Sequence, residues 1–211
     1  CSSDLTKSMT DNFSHWDKVY KTKDHTQVSW HQDHSTISFD WILEFANKED
    51  AIIDVGCGVS ILADNLLAQG FSKISLLELS TTAIETLKTR LKKSSDKLSF
   101  YNENILDFQP NSTFKLWHDR AVFHFLTSPK DQKIYLKKLN QYLQKDGFFL
   151  LATFSPDGPK ECSELGIVQY DKAKISKLLG DGFDFIKMFN EKHPHPNGSI
   201  QSFNYFLFRK K

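Results

Sequence analysis

The stretch AIIDVGCGVSILADNLL, from Ala51 to Leu67, decides the fold of this chain. A short β-branched run ends in Asp54, two glycines follow at Gly56 and Gly58, and apolar residues then recur at helical spacing. This order predicts a strand, a tight turn and a helix, which together form a nucleotide-binding loop. Glycine permits the sharp turn and the close approach of a ligand to the backbone. The surrounding residues then indicate which ligand the loop holds.

Strands and helices alternate along the chain after this loop. Runs with strand character predict further strands at 73–80, 97–105 and 114–119, and residues 145–154 predict a turn followed by a fully apolar fifth strand, with helical patterns between the strands. Residues 183–211 hold two strand-like runs joined by a turn rich in His, Pro, Asn and Gly. No helix fits between these runs, so we expect them to pair antiparallel. The predicted fold is α/β, a doubly wound, mostly parallel sheet with helices on both faces and a C-terminal antiparallel hairpin.

Capping residues predict where several helices begin. Thr82 and Glu85 have the spacing of a capping box ahead of a helical apolar stripe. Pro129 suits the first turn of the next helix, because its missing N–H is not needed there. Asp171 is a suitable N-cap for a short helix that ends near Leu179.

The composition indicates one globular domain. Of 211 residues, 39% are apolar and 25% are charged, and the net charge is +1. This charge predicts no nucleic-acid or membrane-surface partner, and no apolar stretch approaches the roughly 18 residues that span a bilayer. The cysteines Cys1, Cys57 and Cys162 form no recognisable disulfide or metal pattern, so we predict a cytoplasmic location and no metal site.

The residues around the two glycines favour a cationic ligand over a dinucleotide. The dinucleotide fingerprint G-x-G-x-x-G would need a third glycine at Ile61. Asp54 at the strand end repels a pyrophosphate but suits S-adenosylmethionine (SAM), which has a sulfonium and an ammonium and no phosphate. Glu78 ends the second strand, where an acid can accept hydrogen bonds from ribose hydroxyls, and Asn104 with Asp107 is placed to hold an adenine edge. The alternative is that Asp54 only caps the first helix and the glycines only make a turn.

Four segments, in this order, resemble the successive motifs of class I SAM-dependent methyltransferases: IIDVGCGVS, LLELS, ENILDF and LKKLNQYLQKDGFFLLATF. The resemblance covers about Ala51 to Arg209 and implies a Rossmann-like sheet of seven strands in the order 3-2-1-4-5-7-6. It implies that SAM lies over the carboxyl ends of the first strands and leaves as S-adenosylhomocysteine (SAH). The implied contacts are Asp54, Gly56 and Gly58 for the methionine part, Glu78 for the ribose, and Asn104 with Ile105 for the adenine. Cys57 and Leu79 are also predicted to bind the cofactor.

This sequence departs from the family pattern at two positions. Asn104 stands where an acid usually lies beside the adenine, and its amide offers both an acceptor and a donor. Ser60 stands where many members have a third glycine, and we expect the serine to make the loop tighter.

The first 48 residues do not follow the alternation. We therefore interpret the chain as one domain, 1–211, with an N-terminal cap at 1–48 and a SAM-binding core at 49–211. ISFDWILEFA, at 37–46, is predicted to be helical, and the segment around it resembles a bacterial group of small class I enzymes. We expect the aromatic and histidine side chains of this segment to do one of two things: to form a lid over SAM, whose positive charge attracts aromatic rings, or to fasten the segment to the core. These residues are Trp16, Tyr20, Trp30 and His31.

The tip of the fourth strand carries the candidate catalytic residues. His118 and Asp119 are placed to remove a proton from an oxygen, nitrogen or sulfur acceptor. In the alternative interpretation, Asp119 caps a helix, His118 touches the methionine part of SAM, and Arg120 pairs with an acid.

The only evidence in the sequence about the methyl acceptor is the absence of motifs that are typical of particular acceptors. It has no Asn-Pro-Pro-Tyr motif and no Pro-Cys nucleophile, which disfavours methylation of adenine, glutamine or cytosine. We therefore expect transfer to a small polar molecule or a protein side chain. The alternatives are an NAD-type oxidoreductase and a protein that binds SAM without catalysis.

Overall fold

Strands and helices alternate along the folded chain as the sequence predicts. The computed structural model describes residues 9–22, 36–194, 198 and 200–211. The strands are β1 (Ile52–Val55), β2 (Ile74–Leu77), β3 (Leu98–Tyr101), β4 (Phe114–Arg120), β5 (Leu143–Phe154), β6 (Glu161–Cys162), β7 (Leu165–Gly166), β8 (Phe183–Pro194) and β9 (Ile200–Lys210). The helices are α1 (Met9–Thr22), α2 (Thr36–Phe45), α3 (Leu62–Ala68), α4 (Thr81–Arg90), α5 (Pro129–Tyr142) and α6 (Lys172–Leu179), with 3-10 turns at Lys92–Lys97, Phe123–Phe125 and Gly180–Gly182.

One seven-stranded sheet has the order β3-β2-β1-β4-β5-β9-β8, and β6 and β7 form a separate small hairpin. The strands β1 to β5 pair in parallel, whereas β9 runs antiparallel between β5 and β8. Counted within the main sheet alone, this order confirms the predicted 3-2-1-4-5-7-6. The order reverses between β1 and β4, and ligands of such sheets bind outside the carboxyl ends of the strands at that point.

The strands send alternate side chains into two buried layers, one on each face of the sheet. Ile52 of β1 packs in the first layer with residues of α2 and α3. Ile53, its neighbour, packs in the second layer with residues of α5 and α6. Trp117 and Tyr135 are fully buried in this second layer, and a buried side chain of this size stabilises the fold by roughly 1.5–3 kcal/mol. Helices therefore cover both faces of the sheet.

Two of the three predicted helix starts are confirmed. Pro129 occupies the first turn of α5, and the Asp171 side chain accepts a hydrogen bond at the start of α6. The capping box predicted from Thr82 is wrong, because Ser80 is the N-cap of α4 and its Oγ accepts from the Ala83 N–H at 3.2 Å.

Two helices precede the alternating part of the chain. The α2 helix packs on the first layer through Ile42, which is fully buried. The α1 helix contacts the start of α4, where Asp17 Oδ1 accepts from the Thr82 N–H at 2.9 Å and from Ser80 Oγ at 3.0 Å. The Lys21 ammonium, 2.6 Å from the other carboxylate oxygen, and the Thr82 N–H hold the pKa of Asp17 well below its usual range. Asp17 therefore joins α1 to the sheet edge that carries the glycine loop.

No helix in the described ranges combines the length and the hydropathy that crossing a membrane requires.

Candidate active site

A cavity of about 590 Å³ opens at the carboxyl edge of the sheet, beside the ends of β1, β2 and β4. Sites of this size hold small molecules and cofactors. One part of its lining comes from the residues that follow β1, β2 and β3, and consists of Gly56, Glu78, Leu79, Glu103, Asn104, Ile105 and Leu106. A second part follows β4 and includes Arg120, Ala121, Val122 and Phe125. Trp16 and Tyr20 reach the same cavity from α1.

Both glycines of the loop have a positive φ angle and lack space for a Cβ, so other residue types would be strained at these positions. Gly56 has φ +66°, and a Cβ there would lie 2.0 Å from Val122 Cγ2. Gly58 has φ +52°, and a Cβ there would lie 2.3 Å from Tyr20 Oη. A non-glycine residue in this left-handed conformation costs roughly 1–2 kcal/mol. Gly56 lines the cavity, and Gly58 lies behind Tyr20 and Glu78 rather than in the lining.

Glu78 lies at the cavity wall with its carboxylate held in place by two backbone groups. Its Oε2 accepts from the Gly58 N–H at 2.9 Å, and its Oε1 accepts from the Ser80 N–H at 2.8 Å. Burial raises the pKa of this carboxyl above its usual value. Each oxygen has a second lone pair, which is what the predicted bonds to ribose hydroxyls require. Leu79, also predicted to bind the cofactor, lines the cavity as well.

The predicted adenine residues lie just beyond β3. This strand ends at Tyr101, earlier than the predicted end at 105, so Asn104 and Ile105 belong to the following loop. Asn104 Oδ1 accepts from the Leu106 N–H at 2.9 Å, which shapes the loop, and both predicted residues line the cavity. Asp107 is exposed and lies outside the lining, so its predicted adenine contact is not supported.

Asp54 is buried away from the cavity lining and contacts His118 instead. Asp54 Oδ1 lies 2.7 Å from His118 Nδ1, and His118 Nε2 lies 2.8 Å from Ser38 Oγ on α2. All three residues are buried. The pair arises because the parallel register of β1 and β4 places Asp54 directly beside His118. This chain of hydrogen bonds ties α2 to the sheet, so the predicted methionine contact of Asp54 and the predicted base role of His118 are not supported by their positions.

Asp119 is completely buried and holds the turn that follows β4. Its Oδ1 accepts from the Val122 N–H at 2.9 Å, and its Oδ2 accepts from Tyr135 Oη at 2.6 Å and from the Phe123 N–H at 3.1 Å. Burial raises the pKa of Asp119 to about 6, although these hydrogen bonds oppose the shift. A carboxyl with this pKa would suit a general base, but Asp119 lies outside the cavity lining. The position of Asp119 therefore supports the alternative interpretation, in which this carboxylate caps the helical turn that follows β4.

Cys57, predicted to bind the cofactor, also lies outside the lining. It is buried in the first layer, and burial raises the pKa of its thiol. Cys162 does line the cavity, together with Leu165 and Gly166, so the β6–β7 hairpin shapes one wall. In the parts of the chain that the structure describes, no group of three or more His, Cys, Asp or Glu side chains is arranged to hold a metal ion.

His124 is buried behind the cavity wall. Its ring stacks on Phe154 with centroids 5.0 Å apart and meets Phe125 edge-on at 4.4 Å. Neither ring nitrogen has a hydrogen-bond partner among the residues that the structure describes. Burial, with a smaller contribution from the Arg120 charge, lowers the pKa of His124 to about 3, so the imidazole is neutral. A fully buried polar ring without a partner was not predicted from the sequence.

The N-terminal helix α1 closes one side of the cavity. The Trp16 ring meets the Phe125 ring edge-on, with centroids 5.2 Å apart, and Tyr20 covers Gly58. Both side chains line the cavity, where the lid prediction places them. Trp30 and His31, the other two predicted lid residues, lie outside the described residues.

Comparison with known proteins finds methyltransferases among the relatives of this chain. Residues 52–147 match the protein family described as "Methyltransferase domain". A malonyl-[acyl-carrier protein] O-methyltransferase of Ilyobacter polytropus is 29% identical over 149 residues, which is 70% of this chain and 52% of the relative. The mouse EEF1A lysine methyltransferase 2 is 25% identical over 215 residues, with 93% of this chain and 80% of the relative covered.

A solved structure shares the fold across almost the whole chain. It is the Burkholderia thailandensis 1,6-didemethyltoxoflavin-N1-methyltransferase, described with its substrate and SAH bound. The TM-score is 0.72 at 15% identity, and the match covers 96% of this chain and 87% of that one. The chain spans about half the length of the two Ilyobacter relatives it matches, 52% and 55%.

These findings confirm the resemblance that the sequence motifs carry. Residues 52–147 match a methyltransferase domain, and the relatives and the solved structure named above, which are methyltransferases, support SAM as the cofactor. The relatives named above are methyltransferases that act on different kinds of acceptor, which leaves the acceptor of this chain to be inferred from its own cavity.

Proposed function

We propose that this chain transfers the methyl group of SAM to a small polar molecule or to a protein side chain. The observation that carries the proposal is a single cavity that joins the glycine loop and Glu78 on one side to the residues after β4 on the other. The names of the similar proteins support both acceptor classes, since one refers to 1,6-didemethyltoxoflavin, another to a malonyl-[acyl-carrier protein] and a third to a lysine of EEF1A. The cytoplasmic location stays a prediction.

The residues at the strand ends fit the parts of SAM. Gly56 lines the cavity, so its backbone lies beside the ligand space, whereas Gly58 lies behind Tyr20. Glu78 offers a carboxylate for the two ribose hydroxyls, and Asn104 with Ile105 offers an amide and an apolar surface for the adenine. The bound cofactor would supply an activated methyl group on a positively charged sulfur.

The chain promotes transfer mainly by position and by excluding water. Aligning an acceptor with a reactive carbon converts a bimolecular step into an effectively unimolecular one. We assign the covering role to Trp16 and Tyr20 of α1, whose aromatic rings also attract a cation. We assign His118 and Asp119 a positioning role, because the first ties α2 to β1 and the second holds the turn after β4.

Calorimetry with SAM and SAH tests the proposal. The folded chain should bind both, and Glu78→Gln should weaken SAH binding by roughly 10-fold or more, because charge-assisted bonds to the ribose are lost. Glu85→Gln is the matched control, since Glu85 is an exposed acid on α4 that pairs with Lys88. Absence of SAH binding at millimolar concentration by the folded wild-type protein would refute the proposed function. Equal affinity of the Glu78→Gln variant and the wild type would refute the ribose assignment.

A further inference from the structure

The cavity lining includes a carboxylate that belongs to a helix rather than to a strand end. Asp131 lies in the first turn of α5, just after the N-cap Ser128, and it lines the cavity together with Leu126, Thr127 and Ser128. Its side chain is half-buried. Within the described part of the chain, no hydrogen bond or ion pair engages this carboxylate. Asp131 is therefore available to a ligand.

The face of α5 that carries Asp131 lies against the loop after β3. Tyr135, one turn later on this face, is buried in the second layer, which also contains Ile105. Lys138, two turns after Asp131, donates from Nζ to the Phe108 carbonyl at 2.7 Å. The first turn of α5 therefore reaches the cavity beside the loop that carries the predicted adenine residues.

This loop uses the side-chain oxygen of Asn104 for its own structure. Asn104 Oδ1 accepts from the Leu106 N–H at 2.9 Å, which orients the oxygen toward the loop backbone. The other end of the amide, Nδ2, can only donate. The 6-amino group of adenine is also a donor, so an amide held in this way serves it less well than an unengaged carboxylate.

The surroundings of Asp131 suit the edge of a planar base. Ile105, Leu106 and Leu126 line the cavity with apolar surface for the faces of a ring. An ionised carboxylate only accepts hydrogen bonds, so Asp131 selects a base that presents an N–H donor at its edge. Such a bond is charge-assisted and is stronger beside apolar walls than in water.

We propose that Asp131 accepts a hydrogen bond from the 6-amino group of SAM and so selects adenine at the donor site. This proposal rests on the proposed function and adds a residue of α5 to the donor contacts at the strand ends. SAM and SAH carry the same adenine, so the bond forms with both. Asp131 is a binding residue and takes no part in the transfer of the methyl group.

Two other assignments compete with this one. In the first, Asp131 only stabilises α5, because an acid in the first turn interacts favourably with the N-terminal N–H groups of a helix. In the second, the 6-amino group binds another acceptor of the lining, either Glu103 or the remaining lone pair of Asn104. In both cases, loss of Asp131 has the same effect on ligands with and without the amino group.

Calorimetry with two ligands isolates the proposed bond. The ligands are SAH and its 6-deamino analogue, in which purine replaces adenine. The wild type should bind the analogue roughly 10-fold or more weakly than SAH, because a charge-assisted bond is lost. Asp131→Ala should weaken SAH by a similar factor and leave the affinity for the analogue within about twofold of the wild type. Asp131→Asn should keep part of the preference, because its amide oxygen still accepts.

Two further variants serve as controls. Glu103→Ala removes the other unassigned acid of the lining, and it should keep the preference for SAH over the analogue. Glu85→Ala removes an exposed acid on α4 that pairs with Lys88, and it should match the wild type with both ligands. The comparison of the two ligands in the wild type needs no variant, so it tests the proposal even if an Asp131 variant fails to fold.

The proposal is overturned if the wild type binds both ligands equally, if Asp131→Ala keeps the preference for SAH, or if Glu103→Ala abolishes it. In each of these cases SAH binding by the wild type leaves the proposed function standing. If the folded wild type binds neither ligand at millimolar concentration, the proposed function fails and this proposal fails with it.

Discussion

Replacement of Asp119 by asparagine tests whether this carboxyl is the buried cap that the structure shows. The side chain has no exposed surface, and burial raises its pKa from 3.8 to about 6. An acid with a raised pKa in the folded state binds its proton more tightly there than in the unfolded chain. Its contribution to the free energy of unfolding is therefore present at low pH and is lost as the pH rises through about 6.

The expected magnitude follows from the two pKa values. Between about pH 4.5 and about pH 8, ionisation of Asp119 should cost the wild type about 2 kcal/mol of stability, since each pKa unit is worth about 1.4 kcal/mol. Asparagine does not titrate, so this loss is absent from the Asp119→Asn variant. Because every other titrating group is common to both proteins, the difference between their pH profiles isolates Asp119.

Urea denaturation at a series of pH values measures this difference. The stability of the variant relative to the wild type should rise by about 2 kcal/mol over this range. SAH affinity should stay unchanged, because Asp119 does not line the cavity. A difference in stability that is constant with pH would refute the reasoning, since it would mean that the carboxyl titrates as it does in water. Loss of SAH binding in a folded variant would place Asp119 at the donor site.

Three further substitutions test other parts of the site. Gly58→Ala should lower stability by about 1–2 kcal/mol in thermal unfolding, because φ is +52°. It should also weaken SAH binding, because the new Cβ displaces Tyr20. Unchanged stability and affinity would contradict the packing of α1 against the loop. Asp17→Ala should cost about 1 kcal/mol and speed amide hydrogen exchange in α1, whereas unchanged exchange would show that Asp17 does not hold this helix. His124→Phe should raise stability by about 1–3 kcal/mol in urea, because two buried nitrogens without partners are removed at nearly constant shape. A less stable His124→Phe variant would show that the imidazole has a partner in solution.

The order of strands and helices was predictable because it depends on local patterns. The glycine loop, the apolar run of β5 and the Asp171 cap each have a signal within a few residues. The start of α4 was misassigned between two nearby residues that both suit an N-cap, and the structure gives this role to Ser80, whose Oγ accepts from the Ala83 N–H. The contacts of Asp17 with Ser80 and Thr82 join residues more than 60 positions apart, so no local pattern predicts them.

The candidate site shows the same division. Glu78, Asn104 and Ile105, which the sequence predicts at the ribose and the adenine, lie together in the cavity lining because the ends of neighbouring parallel strands meet at one edge. The positions of Asp54 and His118 were not predictable, because their contact depends on the register between β1 and β4. Arg120 and Glu103 were missed as lining residues, and no local pattern distinguishes them from charged residues in solvent.

The sequence by itself determined the class of fold, the glycine loop and the acid at the end of the second strand. These features follow from steric and hydrophobic preferences that act between near neighbours. Only the tertiary structure decided which polar groups face the cavity. Pairing between strands buried Asp54, His118 and Asp119, whose partners are provided by other elements, and it left Arg120 at the open edge, held by Tyr205 of a strand about 85 residues later. A buried polar group is placed by the partner that satisfies it, and that partner is set by the fold rather than by adjacent residues.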